Sequence, residues 1–483
     1  MKENAFKPGQ YSAPEKGLVI IMGRLFGTDG ARGVAITELT CETAMQIGRA
    51  AAMVLTKKTS HKPTIFIGKD TRISSDILEA ALVAGICSVG ADVKILGVVP
   101  TPAVAYLVRA NNADAGVMIS ASHNSVEFNG IKLFSSTGYK LSDDIEEEIE
   151  ALILDNPEAI KLASHSSVGR VSVFKDAEWD YIRYLMKAVN TDFSGVRVVL
   201  DCANGSSSAT AEKLFSALGA GCIMINANPD GTNINDKCGS THMESLIEAV
   251  KANAADVGFA FDGDADRCLA VDENGELVDG DKLIAIAAKA YKAEGRLKGD
   301  TAVVTVMSNL GFTHFAKNNG VNVVTAQVGD RYVLEKMLDG NYNIGGEQSG
   351  HIIFLDESTT GDGQLSAIKI LEILVKSCKK MSELASVMET YPQVMINVKI
   401  ANQAKQTWKN DSEIISFIEQ RESQLGGEGR ILVRESGTEP LIRVMLEGKN
   451  FELINRYATE ISDIIKSKVG NENYSGELSV ESC

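Results

Sequence analysis

Short apolar runs alternate with longer amphipathic stretches along most of this chain. Five of the runs predict buried strands, at residues 64–68, 93–96, 197–201, 256–261 and 301–307. Helical patterns follow several of them, at 76–89, 209–218 and 309–317. Strands that alternate with helices predict βαβ units and a mostly parallel sheet. In such sheets, ligands bind beyond the carboxyl ends of the strands.

The pattern changes near the C-terminus, where strands are predicted at 393–400, 429–433 and 442–447, with helices at 411–419 and 452–467. We therefore predict an α/β protein with three tandem α/β domains and a smaller C-terminal α+β domain. Their sheets are expected to be mixed and mostly parallel. The predicted segments are an N-terminal extension (1–22), domains at 23–160, 172–275, 276–385 and 386–470, and a C-terminal tail (471–483).

Composition narrows the classes of function. The chain has 483 residues, and domains usually hold about 100–200, so several domains are expected. A net charge of −16 argues against nucleic acid as a partner, because phosphate backbones need a basic surface. The eight cysteines form neither a CxxC pair nor a Cys/His cluster, which predicts free thiols. No apolar run approaches the roughly 20 residues of a membrane span, so we predict a cytoplasmic protein without a membrane partner.

A serine loop follows the apolar run that begins at Ala115. Its sequence, Ile119-Ser-Ala-Ser-His-Asn124, places Ser122 at the end of a buried strand. A serine there is either a nucleophile, if a neighbouring group activates it, or a plain helix cap. His123 is adjacent in sequence, which predicts a side chain on the opposite side and argues against a simple Ser–His dyad.

An acidic loop offers the ligands of a hard cation. Asp262, Asp264 and Asp266 alternate with small residues, so their carboxylates can converge on one ion. Three carboxylates leave room for a phosphate oxygen as a further ligand of Mg²⁺. The alternative is a solvated acidic turn.

Three further loops suit a sugar phosphate. The glycine-rich segment 26–33 presents Arg32, whose guanidinium can bind phosphate or sugar oxygens. In segment 345–351, Glu347 and Ser349 would share one face if the loop is extended. Segment 434–440 offers hydroxyl and backbone donors for an anion. Each of the three could also be an ordinary turn, but together with the serine and acidic loops they indicate phosphoryl transfer.

The motifs resemble those of the α-D-phosphohexomutases. They are FGTDGARG (26–33), ISASHN (119–124), NGIKLF (129–134), DGDADR (262–267), GGEQSGH (345–351) and RESGTEPLIRVM (434–445). The resemblance implies four domains around a central cleft, with loops of each domain facing it. It also implies an isomerase that is a phosphoprotein and carries its phosphate on Ser122. The residues of the ISASHN and GGEQSGH motifs favour a family member that interconverts glucosamine 6-phosphate and glucosamine 1-phosphate.

The resemblance further implies roles for individual residues. The implied catalytic residues are Ser122, Lys132, Arg32 and His123. The implied ligands of one Mg²⁺ per subunit are the phosphorylated Ser122, Asp262, Asp264 and Asp266. The implied substrate-binding residues are Glu347, Ser349, Arg267, Arg434, Ser436, Gly437, Thr438 and Arg443. The chain departs from the family pattern at Ser125, where proline is frequent, and at Ala265, where glycine is commoner.

Several alternatives stay open at this point. We expect Lys132 to be the general base, with a pKa lowered by Arg32 and the metal. The substrate could instead be a mannose or glucose phosphate. A Mg²⁺-dependent sugar phosphatase, in which water takes the phosphate from Ser122, is a further reading. The expected partner is a small hexosamine phosphate, and both a homodimer and the source of the first phosphate are left open.

Overall fold

Four sheets follow one another along the part of the chain that this computed structural model describes, which is residues 24–27, 29–400, 408–435, 441–469 and 480–481. Helices flank the first three sheets, and the predicted α/β fold class is confirmed. The predicted N-terminal extension and most of the C-terminal tail lie outside the described residues. Among the described helices, none combines the length and hydropathy that a membrane crossing requires.

The first sheet carries the serine loop. Its strands are β1 (Ala31–Val34), β2 (Thr64–Lys69), β3 (Asp92–Val98), β4 (Ala115–Ile119), β5 (Phe128–Ser135) and β6 (Val171–Val173). Its helices are α1 (Cys41–Thr56), α2 (Ile73–Ser88), α3 (Thr101–Ala110) and α4 (Asp143–Leu154). All five residues of β4 are buried, because it lies inside the sheet between β2, which is parallel to it, and β5, which is antiparallel. Pairing of β6 with β3 extends this sheet past the expected boundary at residue 160.

The second sheet carries the acidic loop. It contains β7 (Arg197–Asp201), β8 (Gly221–Ile225), β9 (Val257–Phe261), β10 (Cys268–Asp272) and β11 (Leu277–Val278), with helices α5 (Ala177–Lys187), α6 (Ala211–Ala217) and α7 (Glu244–Asn253). Strand β9 is wholly apolar and buried, and it pairs antiparallel with β10. The acidic loop is therefore the tight connection between two buried strands.

The third sheet ends in a hairpin that carries the Glu347 segment. Its strands are β12 (Thr301–Thr305), β13 (Asn322–Ala326), β14 (Ile344–Gly346) and β15 (Ile352–Phe354). Its helices are α8 (Gly280–Ala293), α9 (Leu310–Asn319), α10 (Asp330–Gly340), α11 (Gly363–Ser377) and α12 (Met381–Ala385). Strands β12, β13 and β14 are parallel, and β15 returns antiparallel to β14. The tip of this hairpin is the segment 347–351.

The fourth sheet is antiparallel and has a core of its own. It contains β16 (Gln393–Lys399), β17 (Gly429–Glu435), β18 (Leu441–Gly448) and β19 (Val480–Glu481), packed by α13 (Ser412–Leu425) and α14 (Phe451–Val469). A separate apolar cluster includes residues of all three earlier sheets, such as Phe66, Phe259 and Val304. The first three units thus share buried apolar surface, while the fourth buries its own.

Candidate active site

The serine loop is held by its backbone carbonyls. Ser122 is buried and has a φ of 53°, a conformation that few non-glycine residues adopt. Its carbonyl oxygen accepts hydrogen bonds from Arg72 Nη2 (3.0 Å) and Asn235 Nδ2 (2.9 Å). The Arg72 side chain is fully buried and pairs with Asp70 at 2.9 Å. Arg72 also donates to the carbonyl of Ser125. This hydrogen bond fixes the backbone at Ser125, the position where proline is frequent in the family.

The acidic loop brings its three carboxylates together. Oxygens of Asp262, Asp264 and Asp266 lie within 4.8 Å of one another, and all three residues are buried. Two of their oxygens, Asp264 Oδ1 and Asp266 Oδ1, are buried without a hydrogen-bond partner among the described residues. Converging carboxylates with unused oxygens fit a hard divalent cation. Ala265, between them, has a φ of 56°, which explains why glycine would be favoured at that position.

The serine loop and the acidic loop meet directly. Ser122 Oγ donates to Asp262 Oδ2 at 2.6 Å, although the residues are 140 positions apart. The approach depends on Gly263, because a Cβ atom there would lie only 2.6 Å from the Ser122 carbonyl oxygen. Burial, and then the charges of Asp266 and Asp264, raise the pKa of Asp262 well above its ordinary value. The predicted serine therefore lies against the predicted cation site.

His123 faces Ser122, and the expectation that it points to the opposite side is wrong. Its Nδ1 atom lies 3.4 Å from Ser122 Oγ. The left-handed backbone at Ser122 breaks the alternation that an extended strand would impose. Burial, and then the charges of Arg267 and Arg32, lower the pKa of His123 to about 4. The imidazole is consequently neutral near pH 7.

Lys132 is held as a cation, and the expected lowering of its pKa is wrong. Its buried Nζ atom lies 2.8 Å from Asp264 Oδ2, 3.0 Å from Asp29 Oδ2 and 3.3 Å from Asp266 Oδ2. Burial opposes the charge, but these carboxylates outweigh it and hold the pKa of Lys132 well above its usual value. These three acidic neighbours lie in loops distant in sequence from Lys132, so only Arg32 and a metal could be considered from the sequence.

Arg32 lies on β1, beside the serine loop. It forms an ion pair with Asp29 from the same glycine-rich loop, and its Nε atom is buried without a partner in the described part of the chain. Sequence reasoning missed Asp29, which also contacts Lys132 and Lys140. It also missed Thr101, whose Oγ1 atom donates to Asp264 Oδ2 at 2.5 Å. The only sequence signal of Asp29 is its position just before β1, and that of Thr101 is its position at the start of α3.

The hairpin tip presents Glu347 and Ser349 on a tight turn, which was the alternative to an extended loop. The Gly350 N–H donates to the Glu347 carbonyl at 3.0 Å, which closes the turn. Glu347 Oε1 accepts from the Gly329 N–H at 2.9 Å, while Ser349 is exposed. Arg267 lies near both the acidic loop and Glu347. The charges of Asp262, Asp266 and Glu347 therefore outweigh the effect of burial and raise the pKa of Arg267.

The fourth domain contributes two arginines. Arg434 on β17 lies opposite Arg443 on β18 in the antiparallel register. Burial, and then the charge of Arg443, lower the pKa of Arg434, so the pair favours a nearby anion. The remaining residues predicted here, Ser436, Gly437 and Thr438, lie outside the described residues.

Comparison with protein-family models assigns each unit to one type. The models describe phosphoglucomutase/phosphomannomutase alpha/beta/alpha domains I, II and III and the C-terminal domain. They match residues 23–159, 179–275, 279–391 and 395–464 in that order. The four matches cover most of the chain in the order expected of one multidomain protein.

Curated relatives match over their whole length. A phosphoglucosamine mutase of Acetivibrio thermocellus is 54% identical over 449 residues, which is 93% of this chain and 100% of the relative. One of Clostridium perfringens is 56% identical over 447 residues, 92% of this chain and again 100% of the relative.

Solved structures share the fold at low sequence identity. A phosphoglucomutase/phosphomannomutase family protein of Burkholderia thailandensis has a TM-score of 0.77 and 20% identity, over 95% of this chain and 100% of the other. An N-acetylphosphoglucosamine mutase of Aspergillus fumigatus, in complex with GlcNAc-6P and magnesium, has a TM-score of 0.65 and 18% identity. It covers 92% of this chain and 95% of the other. These likenesses establish the arrangement of domains.

Proposed function

The chain belongs to the phosphoglucomutase/phosphomannomutase family of enzymes, and we propose that it is a phosphoglucosamine mutase. It would interconvert glucosamine 6-phosphate and glucosamine 1-phosphate through a bisphosphorylated sugar. Identity above 50% with full-length phosphoglucosamine mutases supports the choice of sugar. The reaction would supply amino-sugar nucleotide and cell-wall precursor synthesis. Free thiols at the seven described cysteines fit the cytoplasmic location that is part of this proposal.

The observation that carries the proposal is the contact between Ser122 and the acidic loop. In the state described, Ser122 Oγ donates to Asp262 at 2.6 Å. A phosphate on the same oxygen would lie beside Asp262, Asp264 and Asp266 and complete a cation site with them. Ser122 would therefore act as a phosphate carrier, charged before the cycle begins, rather than as a serine activated by a base.

The three aspartates would hold the Mg²⁺, with the phosphate of Ser122 as a further ligand. Their unused buried oxygens and their acceptor-only chemistry fit this ion. When bound, Mg²⁺ neutralises charge on the phosphoryl group. Thr101 fixes the orientation of Asp264 from outside, as supporting residues commonly do in metal sites.

Each transfer would break one bond to phosphorus and form another. A sugar hydroxyl oxygen bonds to the phosphorus, the bond to Ser122 Oγ breaks, and the hydroxyl proton passes through a basic group in the cleft to Ser122 Oγ. The bisphosphate then turns, and its other phosphate returns to Ser122 by the reverse step. Lys132 and Arg32, both cationic, would offset the charge that develops on the phosphoryl oxygens. His123 is neutral near pH 7, and its Nδ1 atom can form a hydrogen bond with Ser122 Oγ.

The remaining predicted residues would bind the substrate. Glu347, Ser349 and Arg267 would hold the sugar, because the hairpin tip and the acidic loop lie side by side. The phosphate that is not being transferred would bind the fourth domain through Arg434, Ser436, Gly437, Thr438 and Arg443. The paired arginines of β17 and β18 supply the charge for this role.

Turnover of three substrates tests the proposed sugar. With Mg²⁺ and a catalytic amount of sugar bisphosphate, kcat/KM is compared for the 6-phosphates of glucosamine, glucose and mannose. We expect the highest value for glucosamine 6-phosphate. A higher value for glucose or mannose 6-phosphate would contradict the assignment within the family.

A further inference from the structure

Charged residues of three domains form a row of ion pairs that starts at the acidic loop. This charge row consists, in order, of Asp266, Lys132, Asp29, Lys140 and Asp330. The lysine Nζ atoms lie 2.5–3.3 Å from the carboxylate oxygens along the row. His351 lies between the two ends, but its Nε2 atom accepts from the Gly361 N–H at 3.0 Å and does not donate to Asp330 Oδ2, 3.6 Å away. Acidic and basic side chains thus alternate from Asp266 to Asp330.

Lys140 is the member of the charge row that joins the first domain to the third. Its Nζ atom lies 2.5 Å from Asp29 Oδ1 and 2.5 Å from Asp330 Oδ2. Asp29 belongs to the glycine-rich loop, and Asp330 is the first residue of α10. The Lys140 side chain is only 14% exposed, so both contacts are largely shielded from water.

Both contacts of Lys140 lead to groups at the cleft. On one side, Asp29 uses its other oxygen to hold Lys132, which contacts the acidic loop. On the other side, Asp330 follows Gly329, whose N–H donates to Glu347 at 2.9 Å. Loss of Lys140 would leave Asp29 and Asp330 facing each other without the cation between them. The two loops that they support would then separate.

We propose that Lys140 is a positioning residue for phosphoryl transfer, which sets the distance between the Lys132 side and the Glu347 side of the cleft. The inference rests on the proposed mutase function. Displacement of reacting groups by about 1 Å can lower a rate by about a hundredfold, so a single pair at this place can matter. Lys140 itself touches no reacting atom in this scheme, and it acts through Asp29 and Asp330.

A double-mutant cycle in the magnesium-loaded enzyme tests the inference. Lys140→Met and Asp330→Asn are each expected to lower kcat about ten- to a hundredfold, with little change in KM. Because both remove the same contact, the double variant should be no slower than the worse single variant. Lys140→Arg should retain most of the activity, since Lys140 lines a cavity of about 150 Å³ that leaves room for a guanidinium.

The matched control is Lys298→Met. Lys298 forms an equally short pair with Asp356, but both residues belong to the third domain and are more exposed. Its kcat should equal that of the wild type. Wild-type kcat in Lys140→Met, or losses that multiply in the double variant, would overturn the inference. If Lys140→Met does not fold, a wild-type kcat in Asp330→Asn would overturn the inference instead. A wild type that converts no hexose phosphate would instead reject the proposed function.

Discussion

At the residue scale, the site depends on contacts between side chains that are far apart in sequence. The residue types at Ser122 and in the acidic loop could be predicted, because a strand end and alternating carboxylates are local patterns. The hydrogen bond between Ser122 and Asp262 could not be predicted, since it joins two domains. The prediction of a lowered pKa for Lys132 was wrong for the same reason, because its carboxylate neighbours come from two other loops.

Thr101 offers a test of the cation site that leaves every proposed ligand in place. Thr101→Val keeps the shape of the side chain but removes its hydrogen bond to Asp264. Supporting residues of this kind typically change metal affinity about tenfold or more. The Mg²⁺ concentration for half-maximal activity should therefore rise about tenfold, with recovery at saturating Mg²⁺.

Thr56→Val is the control for that experiment. Thr56 Oγ1 donates only to the Ala52 carbonyl within α1, away from the acidic loop. Its Mg²⁺ dependence should match the wild type. An unchanged Mg²⁺ dependence in Thr101→Val would argue against a supporting role of Thr101 in metal binding.

At the scale of elements, long buried strands were predictable and short ones were not. The runs that became β2, β7, β9 and β12 are apolar and begin near the predicted residues. A turn at segment 345–351 was one of the predicted alternatives, but strands β14 and β15 were not predicted, because three-residue strands carry too little periodicity. Strand β6 was missed too, since all its residues are exposed. Strands β14 and β15 nonetheless place the Glu347 turn.

A buried acid in the first turn of α8 contacts the start of α9. Asp281 Oδ2 accepts from the Asn309 N–H at 2.7 Å, just before that helix. Burial raises the pKa of Asp281 to about 7. The nearby charges of Asp279 and Glu447 add to this effect, and the hydrogen bond from the Asn309 N–H opposes it. The folded protein thus retains a proton that the unfolded chain releases near pH 4.

Asp281→Asn should therefore change the pH dependence of stability. Because the folded-state pKa of Asp281 is raised, its contribution to the free energy of unfolding becomes less favourable as pH rises towards 7. Between pH 5 and pH 8, the variant should gain about 2–3 kcal/mol relative to the wild type, measured by denaturant unfolding. A difference that does not change with pH would contradict the buried, protonated acid.

At the scale of the whole molecule, the fourth domain is joined to the third by a buried charge. Glu447 on β18 accepts from the Leu310 N–H at the start of α9, at 3.1 Å. Arg430 pairs with Glu447 at 2.6 Å and donates to the Ser308 carbonyl at 2.6 Å. The number and class of the domains could be predicted from the sequence, whereas this joint could not, because single charged residues give no pattern.

Arg430→Met should weaken that joint. It leaves Glu447 buried without its cation, which costs about 3 kcal/mol in comparable pairs. The unfolding transition that involves the fourth domain should shift accordingly, and KM for the sugar phosphate should rise, because β18 also carries Arg443. Arg456→Met, which removes an exposed pair with Glu460, should change stability by less than about 0.5 kcal/mol. Equal stability of the two variants would contradict the joint.

The central claim is that Ser122 carries the phosphate that is transferred. Mass analysis of the peptide that contains Ser122, with an isotopically labelled phosphate, tests it before and after addition of glucosamine 6-phosphate. We expect one phosphate on Ser122, none in Ser122→Ala, and passage of the label to the sugar. An unphosphorylated Ser122 in active enzyme, or release of the label as inorganic phosphate without isomerisation, would contradict it.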